Sequence, residues 1–115
     1  MGPRKMAMEP SSLADIQGWV AEHSLSLLVF TTRDCGVCDA LRPHVAALAD
    51  TEPRLVVRYI DVEDSPEIAG QHEVFAVPVY VLSVNGKESV RFARHFSMDD
   101  LRSAVHRYSG LLSSE

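Results

Sequence analysis

The chain has no long apolar run. Its longest, Leu27-Leu28-Val29-Phe30, is the size of a strand and far short of the roughly 20 apolar residues a membrane-spanning helix requires. A signal peptide is not expected: Arg4 and Lys5 are followed by no apolar stretch and no small-residue cleavage site. Residues 1–10 read as a loose, flexible tail and residues 11–115 as one domain. Basic charge is scarce, with 11 Lys and Arg against 16 Asp and Glu for a net charge of −5. Such a chain has no broad electrostatic attraction to nucleic acid or to an anionic membrane. The densest basic group, Arg91, Arg94 and His95, reads as the solvated face of an edge strand. Cysteine is scarce too, with only Cys35 and Cys38. A disulfide-stapled secreted scaffold would carry several pairs closing long loops. A pair this close restricts the unfolded chain little. Its value therefore lies in chemistry, and a reducing compartment, the cytoplasm, is expected.

What the chain does have is an apolar content of 46%, enough at this length for one core. Ser12-Leu13-Ala14-Asp15 has the form of a capping box, and Leu13, Ile16, Trp19 and Val20 continue at helical spacing, so a helix is expected from about Ser12 to His23. Leu25 to Thr31 reads as a central strand covered on both faces. A helix follows from Cys35 to about Ala49, with Leu41, Val45 and Leu48 on one face and Pro43 expected to kink it. The next strand runs from Leu55 toward Val62, ending at Asp61. Asp64-Ser65-Pro66-Glu67 then opens a short helix that stops near Gly70 or His72. Val77 to Val84 is a β-branched run. Asn85-Gly86 is a strong hairpin signal, and Glu88 to Ala93 returns antiparallel. Ser97-Met98-Asp99-Asp100 caps a last helix whose stripe is Leu101, Ala104, Val105, Tyr108 and Leu112. The order α-β-α-β-α-β-β-α predicts a three-layer α/β/α sandwich around a mixed sheet.

A Cys-x-x-Cys pair between a strand end and a helix start is positioned for thiol chemistry. Unpaired amide N–H groups and the positive end of the helix dipole face the first sulfur and stabilise a thiolate. Cys35 is therefore the expected nucleophile, and Cys38, one turn later, the expected resolving cysteine. Gly36 is expected to permit a tight entry and leave room for a substrate chain, and Val37 to supply an apolar wall.

Cys35-Gly36-Val37-Cys38, then Pro43, Asp61, Val77-Pro78 and Asn85-Gly86 resemble the thioredoxin family in order and spacing, from about Leu25 to the last helix. The helix before Leu25 agrees with that family; a first short edge strand is not evident. The resemblance implies a thioredoxin fold with a four-stranded sheet of order 2-1-3-4 and an extra N-terminal helix. Counted from the strand at Leu25, the last two strands are expected antiparallel to the first pair. It also implies a cis Val77–Pro78 bond, which proline makes accessible at about 0.5–1 kcal/mol. The backbone of Val77 would then turn outward to dock an extended substrate segment beside Cys35.

The chain also departs from the family. Thioredoxins commonly carry Trp-Cys-Gly-Pro-Cys; here Asp34 precedes Cys35 and Val37 stands in place of proline. The family's buried aspartate, which assists proton transfer at the second cysteine, is matched by Val29, and the lysine that accompanies it by Val57. Cys38 is thus expected to lose its proton to water or substrate, or to turn over more slowly. Asp34 opposes a Cys35 thiolate and Arg33 favours it.

Three other readings compete. A zinc site would need two more ligands, for which His44, His72 and His95 are available, but there is no second pair at ligand spacing. A thioredoxin fold kept for binding or redox sensing would not need the acid missing at Val29. A glutathione-dependent, glutaredoxin-like activity would favour an aromatic residue in the motif, which Cys-Gly-Val-Cys lacks. Trp19 reads as a packing residue, and His23 as a helix-end residue favourable with the dipole. Tyr59, Tyr80 and Phe75 read as core or strand residues, with Phe75 and Ala76 alternatively lining a substrate groove. The expected protein is a monomeric thiol–disulfide oxidoreductase with no cofactor or metal beyond its Cys35–Cys38 disulfide. Its expected partners are disulfide-containing proteins and a thioredoxin reductase.

Overall fold

A computed structural model describes residues 6–7, 12–93 and 96–113. The first helix, α1 (Leu13–Glu22), begins where the sequence places its cap. The Ser12 hydroxyl accepts the Asp15 N–H at 3.1 Å, and the Asp15 carboxylate accepts the Ser12 N–H at 3.4 Å. Such a cap contributes about 1 kcal/mol. At its other end His23 donates Nδ1–H to the Trp19 carbonyl at 2.7 Å, satisfying an acceptor the helix leaves open.

Strand β2 (Leu25–Thr31) is buried along its whole length. It lies between β3 (Leu55–Asp61), which runs parallel to it, and β4 (Val79–Val84), which runs antiparallel. Strand β5 (Lys87–Ala93) pairs with β4. Counted from β2, these four strands have the order 2-1-3-4. Two expectations are corrected. A short strand, β1 (Met6–Ala7), pairs parallel with β3 and extends the sheet to five strands, within the stretch read as a loose tail. Two residues show no periodicity of their own, and it is the open edge of β3 that gives them partners. Only β4, moreover, opposes the first pair. The hairpin reverses the chain once more, so β5 runs in the same sense as β2 and β3. That hairpin turns on Asn85 and Gly86, with φ of +51° and +84°, the left-handed pair of a tight two-residue turn. A Cβ on Gly86 would also meet the Ala21 Cα at 3.4 Å.

Helix α2 (Gly36–Thr51) continues through Pro43 and covers one face of the sheet together with α4 (Met98–Ser113). Leu25, Leu27, Val29, Val57, Tyr59, Tyr80 and Leu82 point into that layer. α1, through Ile16, and α3 (Pro66–Gln71) cover the other face over Leu28, Phe30, Ile60 and Val81. Strand alternation explains the division, since residues of opposite parity on β2 enter opposite layers. The α4 cap forms as read, with the Asp100 N–H donated to the Ser97 hydroxyl at 3.1 Å. The α3 cap does not: Ser65 makes no side-chain cap bond. Instead the Asp61 carboxylate accepts the N–H groups of Glu63 and Asp64 at 2.8 and 3.2 Å, holding the turn that leads into α3. Arg91 is held by Glu88 through two bonds of 2.9 and 3.0 Å; Arg94 and His95 lie outside the described residues. No helix among the described residues is long and apolar enough to cross a membrane.

Candidate functional site

The chain leaves the sheet at Thr31, turns through Arg33 and Asp34, and enters α2 with Cys35 as its N-cap. Cys35 and Cys38 are joined by a disulfide, with Cα atoms 5.2 Å apart. The Cys35 Sγ accepts the Cys38 amide N–H at 3.1 Å, so the sulfur occupies the place a serine or aspartate oxygen takes at other helix starts. Cys35 is half-buried, whereas Cys38 is only 2% exposed. A reagent or partner meets Cys35 first. Arg33 is directed to Asp64 at 3.5 Å, with both side chains in solvent, and Asp39 in the first turn faces Arg42 at 3.8 Å.

Gly36 is exposed, and a Cβ built on it would touch nothing within 4 Å. The tight entry expected of it is therefore not a conformational requirement; its small size leaves open surface. Val37, between the cysteines, is 61% exposed. The Val77–Pro78 peptide bond is cis. Val77 is half-buried and Pro78 buried, and both precede β4, which begins two residues later than the β-branched run suggests. Phe30 pairs with Val79. The Val77-Pro78 segment thus borders the end of β2 from which the chain continues to Cys35.

Phe75 is corrected most sharply. It is 90% exposed rather than packed in the core, because it sits on the loop between α3 and β4, beyond the sheet that would bury it. Tyr59 and Tyr80 are core residues, 3% and 1% exposed. Val29, where an acid would stand in the family it resembles, is fully buried between them, paired with Tyr59 on β3 and Tyr80 on β4. The Arg42 guanidinium lies 4.2 Å from the centre of the Tyr59 ring. Burial pushes the Tyr59 phenol above its usual range against the opposing effect of Arg42. Burial, then the Tyr59 charge, pushes Tyr80 up to about 12, with Arg42 again opposing. Sequence reasoning missed Arg42. Its only signal there was its spacing, four residues after Cys38 on the same helix.

The described residues contain no group of three or more His, Cys, Asp or Glu able to hold a metal ion. His72 donates Nδ1–H to the Ile68 carbonyl at 2.9 Å, closing the end of α3; His44 is exposed, and His95 lies outside the described residues. What the site can do is open and close one S–S bond at a helix start, with an exposed valine between the sulfurs.

The family model described as Thioredoxin matches residues 11–107. The thioredoxin-like protein YdfQ of Bacillus subtilis (strain 168) is 31% identical over 104 residues, spanning 90% of this chain and 93% of that protein. A thioredoxin of Chlamydia trachomatis serovar D is 31% identical over 84 residues, 73% of this chain and 82% of that one. Among solved structures, Fasciola hepatica thioredoxin superposes with a TM-score of 0.80 at 30% identity, over 90% of this chain and 99% of that one. A mutant thioredoxin from Halobacterium salinarum superposes at 0.83 with 22% identity, covering 95% of this chain and 96% of that one, a likeness of fold alone.

Proposed function

The chain belongs to the thioredoxin family, and we propose that it is a thiol–disulfide oxidoreductase that exchanges disulfides with protein substrates. What supports this reading is the Cys35–Cys38 disulfide at the start of α2, with the outer sulfur accepting the Cys38 amide. On reduction the same amide and the helix dipole favour the Cys35 thiolate. That thiolate attacks a substrate disulfide; a Cys35–substrate S–S bond forms and the substrate's second sulfur leaves. The Cys38 thiolate then attacks Cys35 Sγ, closing the intramolecular disulfide and releasing the substrate thiol. The only redox centre needed is this cysteine pair, as in thioredoxins generally.

Substrate docks, in this reading, across Gly36, Val37, Val77 and Pro78. The backbone of the Val77-Pro78 segment pairs with an extended stretch beside the attacked sulfur, and exposed Val37 and Phe75 offer it apolar surface. The protein works as a monomer in the cytoplasm and is re-reduced by a thioredoxin reductase. Insulin reduction measured with NADPH and thioredoxin reductase, and separately with glutathione alone, tests this. Turnover with the reductase supports it. Turnover only with glutathione would make the chain glutaredoxin-like, and none with either would leave a binding or sensing module.

A further inference from the structure

Beneath the first turns of α2 lies a buried hydroxyl that the exchange scheme above does not use. Val29, Tyr59 and Tyr80 occupy one row across three strands, so their side chains stand together on the face that α2 covers. The Tyr59 hydroxyl is buried and makes no hydrogen bond among the described residues. Such a group is costly to keep in a core, which suggests a partner in another state of the protein.

Arg42 connects this row to the reactive pair. It follows Cys38 by one helical turn, and helix side chains lean toward the helix N-terminus. Cys38 and Arg42 therefore lie on one side of α2, and the Arg42 guanidinium sits 4.2 Å from the centre of the Tyr59 ring. At the far end of α2, the buried Glu52 carboxylate is paired with His106 of α4. Asp39 of α2 is exposed and faces Arg42. Asp61 of β3 is engaged by two amides. From β4 comes Tyr80, and α4 supplies Leu101, Ala104, Val105, Leu112 and the half-buried Tyr108. With valine at position 29, no carboxylate stands in the row.

We propose that the Tyr59 hydroxyl, oriented by the Arg42 guanidinium stacked on its ring, donates a hydrogen bond to the Cys38 sulfur once the disulfide is open. This rests on the exchange reading above. In the mixed disulfide the Cys38 thiol gives its proton to solvent, and its thiolate attacks Cys35 Sγ. The Cys35–Cys38 bond forms, the Cys35–substrate bond breaks, and the substrate sulfur leaves with the electron pair and takes up a proton. Tyr59 keeps its own proton throughout, as a phenol held above its ordinary pKa by burial must at neutral pH. It acts as a donor to the thiolate rather than as a base. Arg42 is a positioning residue.

Tyr59→Phe keeps the ring and removes only the unpartnered oxygen, so the variant folds. Titration of reduced protein by 13C NMR at the Cys38 Cβ is expected to show about tenfold less Cys38 thiolate at a given pH. Resolution of a preformed mixed disulfide should slow by only about threefold, because each remaining thiolate is the stronger nucleophile, with the alkylation rate of Cys35 unchanged. An unaltered Cys38 titration in folded Tyr59→Phe overturns the proposal, whatever the turnover. If the wild-type protein exchanged no disulfides, the exchange reading would fall, while the titration would still decide the hydrogen bond. Arg42→Met should lower the thiolate fraction in the wild type and add little in Tyr59→Phe; full additivity would remove its positioning role.

Discussion

The Cys35 sulfur accepts the amide N–H of Cys38 at 3.1 Å, so the residue that would resolve the mixed disulfide also caps the attacking sulfur through its backbone. The two cysteines are nevertheless unequal, one half-buried and the other 2% exposed. A substrate sulfur can approach only the first without displacing core. Cys38→Ser should therefore accumulate a mixed disulfide on Cys35, recoverable with its substrate on a non-reducing gel, and Cys35→Ser should form none and lose turnover. Equal trapping by both variants would contradict the assignment.

Phe75 is 90% exposed and packs no core, so Phe75→Ser should leave the melting temperature within about 2 °C of wild type. If the ring contacts substrate, KM for a folded protein disulfide should rise several-fold, with little change for a small dithiol–disulfide reagent. Steady-state assays with both substrates separate these effects.

Stability should fall in alkali through Tyr80. Its folded-state pKa is raised from 10.0 to about 12, chiefly by burial, so the folded chain holds that proton more tightly than the unfolded one. The contribution is fully present below pH 10 and is lost as pH rises from 10 toward about 12. Urea unfolding followed across that window should show the decline, and Tyr80→Phe should lessen it, leaving the share due to Tyr59.

Asp61 holds the turn between β3 and α3 with two amide bonds. Asp61→Ala leaves both donors to solvent and should cost about 1–3 kcal/mol. Chemical denaturation would register this, and a loss below about 0.5 kcal/mol would show that the turn is held by backbone bonds such as Ser65 N–H to the Asp61 carbonyl.

Where local chemistry decides conformation, sequence reading and structure agree. Ser12 and Ser97 cap their helices through the acid three residues on, and Asn85-Gly86 turns the hairpin, because each signal acts over a few bonds. The α3 start shows the limit. Ser65 stands in the cap position, but the oxygen used belongs to Asp61, which is at hand only once β3 has ended there.

The sequence by itself determined the succession of elements, the hairpin, and the two sulfurs at a helix start, because periodicity and capping are written in residues close along the chain. Only the tertiary structure decided that Met6–Ala7 would join the sheet, that Phe75 would face solvent, and that Tyr59, Val29 and Tyr80 would form one row under Arg42. These depend on strand register and on which surface a neighbouring element covers. Such contacts join residues far apart in the chain, and no local pattern encodes them.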